Sequence, residues 1–255
     1  MRRFQLFEFE DQQWFSRRLR QAMQSYLATA YRHTPFPKFW AQCLAPLMGA
    51  GRMNTLVDLA SGAGGPVPLV LEELRRMGFE VTATLTDRFP NSAATPLRYW
   101  PEPVDARFIP QALDGTRTMF ASFHHFRPHD AHAILRDAFE RRVPICVFEA
   151  TTRGAVLAAT LIPLMVLLLT LEIRPLSWIQ IVFTYLIPIL PVLIFWDGLV
   201  SYLRTYSVAE LEALTHDLTA DYSWQPGKLR APGVPFGVPF LIGRPNFRQF
   251  ESSSG

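Results

Sequence analysis

The sequence predicts an α/β fold built around a nucleotide-binding strand–turn–helix unit, and three observations predict it. Leu56, Val57 and Leu59 form a short apolar run that carries one acid, Asp58, and breaks at once into Ala60-Ser61-Gly62-Ala63-Gly64-Gly65. Residues 67–77 then read as a helix. A second short run, 81–86, is β-branched and ends in Asp87, at roughly the spacing at which such folds set a carboxylate on a ribose. The glycines let a backbone approach a ligand, and the following helix offers free N–H groups at its start. No Gly-Lys-Ser/Thr follows the turn, which argues against a P-loop.

Composition narrows the class. The chain has 255 residues, enough for one large domain with its own core. Hydrophobic residues make up 49%, an excess that proves to be local. Net charge is only +3, which does not point to nucleic acid and suits an anionic membrane face equally well. The two cysteines, Cys43 and Cys146, sit in unrelated settings; they make no metal or redox motif, no metal is expected, and a reducing compartment is the plain reading. Glu8, Glu10 and Asp11 interrupt the N-terminal region, so it does not read as a secretory signal. Residues 251–255 read as a frayed tail or a cloning remnant.

Taken in order, the chain opens with a helix over about 12–31. Phe15, Leu19, Ala22, Met23, Tyr26, Leu27 and Ala30 recur on one face, while Arg17, Arg18 and Arg20 lie largely off it. Those arginines read either as a solvated face or as a surface for anionic headgroups. Pro35 and Pro37 end this helix. A second helix over 39–48 is stopped by Gly49 and Gly51, and residues 1–53 together read as a helical cap.

The core, 54–154, continues past Asp87 through a turn at Asn91 to a third strand at 104–108. A buried fourth strand lies within 117–126 and ends in His124-His125-Phe126. An amphipathic helix at 130–141 turns Ala131, Ile134, Leu135 and Ala138 inward. A fifth strand at 144–148 ends in Glu149. The end of the fourth strand borders the ligand crevice in open α/β sheets, and imidazole titrates near neutrality, so His124 or His125 is placed to accept a proton or to line the pocket.

After the fifth strand comes a hydrophobic hairpin, 155–198. Residues 155–171 carry no charge; Glu172, Arg174 and Pro175 mark a turn; residues 178–196 are again uncharged. Each stretch is just long enough to cross about 30 Å of hydrocarbon as a helix. Tryptophans at both ends of the second stretch suit the membrane interface, and Arg153 and Arg204 would both lie on the cytoplasmic side. Pro163, Pro188 and Pro191 would kink the helices, so a hairpin that only dips is the alternative, as is a soluble lid or dimer interface. Asp197, Tyr202 and Arg204 sit where apolar sequence meets water; Arg204 is the candidate for an anionic headgroup and Asp197 for orienting the acceptor. In 199–250, Ser207 and Glu210 form a capping box for a helix reaching about His216. Two strands follow, at 222–229 and 238–242, across a Pro/Gly-rich link.

The run from Asp58 to Gly64 resembles the first motif of class I S-adenosylmethionine-dependent methyltransferases, an acid followed by a glycine-rich turn. The resemblance covers most of residues 54–150 and returns in the last two strands. It departs at Ala60, where glycine is usual, and alanine there asks for a negative φ. The resemblance implies a Rossmann-like seven-stranded methyltransferase sheet closed by an antiparallel pair, with S-adenosylmethionine as cofactor. It implies that Asp58, Ala60, Ser61, Gly62, Gly64, Asp87 and Arg88 hold the cofactor. It also implies an acid near the adenine, Asp105 beside Ala106, with Asp114 as the competing choice. His124, His125 and Glu149 are the catalytic candidates, Glu149 either contacting substrate or standing behind the site. Another dinucleotide-binding domain is the alternative. With the hairpin, the expected function is a membrane-associated methyltransferase, catalytic domain cytoplasmic, that methylates a lipophilic acceptor: a quinone precursor, a phospholipid amine or a lipid-linked hydroxyl. Homo-oligomers are allowed for. The other readings are a soluble small-molecule methyltransferase with an apolar lid and a non-catalytic cofactor-binding membrane subunit.

Overall fold

A computed structural model describes residues 2–48, 54–90 and 95–246. The expected helix stop at Gly49 and Gly51, the turn at Asn91 and the tail at 251–255 lie outside the described residues. The chain forms one seven-stranded sheet flanked by helices. Its elements are α1 (Arg17–Tyr31), α2 (Phe36–Met48), β1 (Thr55–Asp58), α3 (Val67–Arg76), β2 (Thr82–Leu85), β3 (Arg98–Tyr99), β4 (Thr116–Phe120), α4 (Pro128–Glu140) and β5 (Ile145–Phe148). Then come α5 (Ile162–Leu169), α6 (Trp178–Ile181), α7 (Ile189–Arg204), α8 (Val208–Thr215), β6 (Tyr222–Leu229) and β7 (Val238–Pro245). The strand order is β3-β2-β1-β4-β5-β7-β6. Strands β1 to β5 pair in parallel, and β7 runs antiparallel to both β5 and β6.

The strands are apolar on both faces because helices cover both. Successive side chains alternate between two cores. Leu56, Phe120, Phe148 and Ile242 join Trp40 and Leu44 of α2 and Val70 and Leu74 of α3. Their neighbours Val57, Met119, Val147 and Leu241 join Ile134 and Leu135 of α4 and Leu211 of α8. The order reverses between β1 and β4, and the loops at their C-terminal ends open a crevice there.

Several boundaries differ from expectation. The third strand is Arg98–Tyr99, paired with Thr84 and Leu85 at the sheet edge. Residues 104–108 form a loop instead: Val104 N–H donates to Asp87 O and Phe108 N–H to Asp105 O, so one amide ties the loop to the end of β2 and the other closes a local turn. The edge goes to Tyr99, whose hydroxyl donates to Gly62 O at 2.9 Å. The fourth strand stops at Phe120 because Ala121 takes a positive φ of 49°, and Phe123–His125 is a single helical turn. α2 starts earlier than expected because Pro37 occupies its first turn, where proline is tolerated.

The Ala60 backbone is also corrected. Its φ is +53°, not negative. Leu59 N–H donates to Thr118 O, and Ser61 N–H donates to Thr86 O at 2.9 Å, so the turn is pinned to the middle of β4 and to the residue after β2. Those anchors outweigh the roughly 1–2 kcal/mol that a left-handed L-residue costs. Ala60→Gly is therefore expected to raise unfolding stability by about 0.5–1 kcal/mol, after allowing for the extra unfolded-state entropy of glycine. Urea unfolding measures it; a loss of stability would contradict this account.

Between β5 and α8 the chain is a bent helical excursion. Arg153–Glu172 is 20 residues long and apolar enough to cross a membrane. The returning leg, Trp178–Leu186 and Ile189–Arg204, bends by 85° at its break. One face of the excursion is covered: Val166, Ile173, Leu190, Leu193 and Ile194 bury against Phe15, Met23 and Tyr26 of the N-terminal segment and α1. The other face stays exposed, with Leu157, Leu161, Leu164, Leu168 and Leu171 recurring every three or four residues.

Candidate active site

The glycine-rich turn, the loops after β2 and β4, and the N-terminal segment enclose a cavity of about 1100 Å³. The turn is held from behind. Ser61 Oγ donates to Asp58 O at 2.8 Å, and Gly62 N–H donates to Asp87 Oδ2 at 2.8 Å. Gly62 and Gly64 have φ of +55° and +92°. A Cβ at Gly62 would stand 3.1 Å from Gln24 Nε2, and one at Gly64 would stand 3.1 Å from Leu85 Cδ1. Side chains there would both strain the turn and narrow the cradle.

Asp58, Ala60, Ser61, Gly62, Gly64, Asp87, Arg88, Asp105 and Ala106 all line this cavity. Asp87 keeps its other oxygen on Phe89 N–H at 2.8 Å. Burial raises the Asp87 carboxyl above the ordinary range, against the pull of the Phe89 and Gly62 amides. Burial pushes Asp58 up to about 7, with Ser61 and Thr118 pulling the other way and the charge of Asp87 adding to the rise. Two destabilised carboxylates on one wall suit a ligand that brings hydroxyl donors and positive charge. Asp105 is held by Arg107 through Nε at 2.9 Å and Nη2 at 2.6 Å, and that bond lowers its pKa. Asp114 is absent from the cavity lining.

The other candidates are placed differently. His124 and Glu149 do not line the cavity. His124 is 3% exposed, its Nδ1 lies 2.7 Å from Glu149 Oε2, and its backbone N–H donates to Glu149 Oε1 at 2.9 Å. Glu149 thus stands behind His124 and not against a substrate. His125 does line the cavity. Burial alone would lower its pKa, but Asp11, 2.7 Å from Nδ1, and Glu8 hold it at about 10. It meets the cavity protonated at neutral pH. Neither histidine is therefore placed to take a proton from a substrate, as the sequence suggested one would be: the first is walled off and the second is already charged.

Arg204 lines the cavity, and its guanidinium is already paired with acids of the N-terminal segment. It is 4% exposed, donates from Nη1 to Asp11 Oδ2 at 2.8 Å, and has Glu8 Oε1 within 3.3 Å. The N-terminal segment lies over it, which no local sequence pattern indicated. Asp197 accepts from the backbone N–H groups of Phe9 and Glu10 at 2.8 and 3.1 Å, so it secures that segment and is not on the cavity wall. Tyr202 is outside the cavity too, edge-on to Phe236.

Sequence reading made residues 1–53 a cap but named none of its residues as part of the site. Gln5, Leu6, Phe7, Glu10 and Asp11 wall the cavity. Glu10 Oε1 is buried with no hydrogen-bond partner among the described residues, and burial, helped by Asp197, pushes its pKa up to about 8. The available signal was three acids in an otherwise aromatic stretch.

No family model matches the chain, and no curated protein does. Solved structures do. The plantazolicin methyltransferase BpumL in complex with SAH matches with a TM-score of 0.54 at 14% identity, covering 90% of this chain and 95% of that one. BpumL with a pentazolic desmethylPZN analog and SAH matches at 0.54 and 13%, covering 90% and 96%. BpumL with a triazolic analog matches at 0.53 and 13% over the same shares, 90% and 96%. With the strand order, the antiparallel β7 and the glycine-rich turn after β1, these likenesses establish the architecture: the chain has the fold of class I S-adenosylmethionine-dependent methyltransferases.

Proposed function

We propose that this protein is a methyltransferase that uses S-adenosylmethionine and acts, at a membrane surface, on a lipophilic acceptor. The observation that carries the cofactor assignment is the Gly62–Asp87 contact at 2.8 Å on the cavity wall. It presents a carboxylate for ribose hydroxyls next to a backbone that a ligand can approach closely. Bound there, the cofactor supplies an electrophilic sulfonium methyl. The protein's part is to hold cofactor and acceptor in line and to exclude water. Asp58 supplies negative charge, and the N-terminal segment closes the acceptor side. The BpumL structures with SAH are consistent with this use of the fold.

The acceptor reading rests on where the apolar surface meets the cavity. Phe7 lines the cavity and packs on Trp196 of α7 at 5.5 Å between ring centroids. Trp196 Nε1 donates to Phe7 O at 3.0 Å. The exposed leucines of the excursion belong to the same helical unit. Because α1 covers one face and the returning leg bends by 85°, this unit suits shallow insertion better than two straight crossings. The same burial against α1 favours the second reading, a soluble enzyme whose excursion is an apolar lid.

Incubation with methyl-labelled cofactor and membrane extract, followed by lipid extraction, tests the proposal. Label in the lipid phase is expected. Label only in water-soluble products refutes the lipid acceptor, and release from membranes by carbonate without detergent favours the lid.

A pH effect follows from Asp58. A ligand that sets a positive charge beside it draws its pKa down, so binding below about pH 7 must expel a proton. Affinity for S-adenosylmethionine, which carries a sulfonium and an ammonium, is expected to rise between pH 6 and 8 by up to about tenfold and then level off. Asp58→Asn should flatten the profile. Calorimetry in buffers of differing ionisation enthalpy reads both the affinity and the proton released.

A further inference from the structure

Behind the cavity wall, the N-terminal segment and the turn after β4 bring together Glu8, His124 and His125. One carboxylate oxygen and two ring nitrogens from these residues all lie within 4.8 Å of one another. His124 Nε2 is buried and has no hydrogen-bond partner among the described residues. It points at Glu8 Oε1 from 3.8 Å, beyond hydrogen-bonding range. Two donors on one tetrahedral zinc ion, each bonded at about 2.0–2.1 Å, stand roughly 3.3 Å apart. His125 Nδ1 is 3.1 Å from Glu8 Oε2 and 2.7 Å from Asp11 Oδ1. The donor atoms are therefore near a ligating arrangement already.

The support behind them fits the same chemistry. Glu149 accepts from the Nδ1–H of His124 at 2.7 Å, which leaves the lone pair on Nε2, facing Glu8. A carboxylate fixing the tautomer of a ligating imidazole recurs in metal sites. Charge agrees. Glu8, Asp11 and Glu149 are three carboxylates, and Arg204 is the guanidinium that pairs with the first two. An ion bound there would displace the proton that His125 shares with Asp11 and Glu8, and its charge would take that proton's place between the two carboxylates.

We propose that Glu8, His124 and His125, with Asp11 beside them, bind a divalent transition-metal ion of the zinc type. Two imidazoles favour such an ion over magnesium or calcium, and the cluster offers no thiolate for a softer one. The ion ties the N-terminal segment to the turn after β4, and through Asp11 and His125 it backs the cavity. This site does not depend on the methyltransferase reading.

Zn²⁺ titration of chelator-stripped full-length protein, in competition with a chromophoric chelator, tests it. About one equivalent is expected to bind tightly, and Co²⁺ should give visible bands of tetrahedral nitrogen and oxygen coordination. Glu8→Gln and His124→Gln should each weaken Zn²⁺ at least a hundredfold, and Glu149→Gln by about 10–100-fold. Asp217→Asn, beside exposed His132, should change nothing. Zn²⁺ should raise the melting temperature of the wild type and not of E8Q. Unchanged affinity in E8Q and H124Q, or no wild-type binding, overturns the site in favour of an imidazolium shared by Glu149 and Glu8. Should a variant fail to fold, the wild-type Co²⁺ spectrum decides: its tetrahedral bands support the site, and their absence overturns it.

Discussion

Asp87→Ala is expected to weaken SAH binding about a hundredfold and to abolish methyl transfer at ordinary cofactor concentrations. Two losses combine. The ligand loses a charged hydrogen-bond acceptor, worth about 1.5–3 kcal/mol. The turn also loses its tie, because Gly62 N–H and Phe89 N–H both donate to this carboxylate at 2.8 Å. Asp87→Asn should be nearly as damaging to binding, since an amide keeps the shape but loses the charge. Asp87 is half-buried and makes no salt bridge among the described residues, so neither change should unfold the protein; relief of a raised carboxyl should offset the lost hydrogen bonds. Calorimetric titration with SAH, with circular dichroism for the fold, measures this. Near wild-type affinity in the alanine variant would remove Asp87 from the cofactor site and the main support for the proposed chemistry.

The second large effect is expected at the exposed face of the excursion. Leu157, Leu164 and Leu168 are 82%, 51% and 56% exposed. Replacing all three with glutamate removes little buried contact. It should cut partitioning onto anionic vesicles by at least a hundredfold, from lost apolar area and added repulsion together. Solubility without detergent should improve. In contrast, Met23→Ala, in the face shared with Val166 and Leu193, should destabilise by about 2–4 kcal/mol whether or not lipid is present. Vesicle flotation and thermal melts separate the two. A triple variant that floats as well as wild type would mean that the exposed leucines do not meet lipid.

Most of the sheet was legible in the sequence. Leu56-Val57, Met119-Phe120 and Val147-Phe148 each supply one side chain to either core, so the runs are continuous and short. Edge strands gave the weakest signal. Arg98–Tyr99 is two residues long and one-sided, whereas residues 104–108 look more strand-like yet spend their amides on the loop after β2 and on a local turn. The glycine turn and Asp87 were readable because their task is set by backbone geometry near one point in the chain. The ion-pair cluster was not, because Glu8 and Asp11 meet His125 and Arg204 only after the chain has folded over itself.

By itself, the sequence determined that a parallel sheet forms, that a glycine-rich turn follows its first strand with an acid beyond the second, and that a long apolar excursion leaves after the fifth. Local periodicity and turn chemistry suffice for that. Only the tertiary structure decided that Ala60 adopts a left-handed backbone, that α1 covers half of the excursion, and that His124 is sealed behind the wall while His125 and the N-terminal acids face it. Those outcomes depend on contacts between distant segments, where burial and charge pairing outweigh what any single residue prefers.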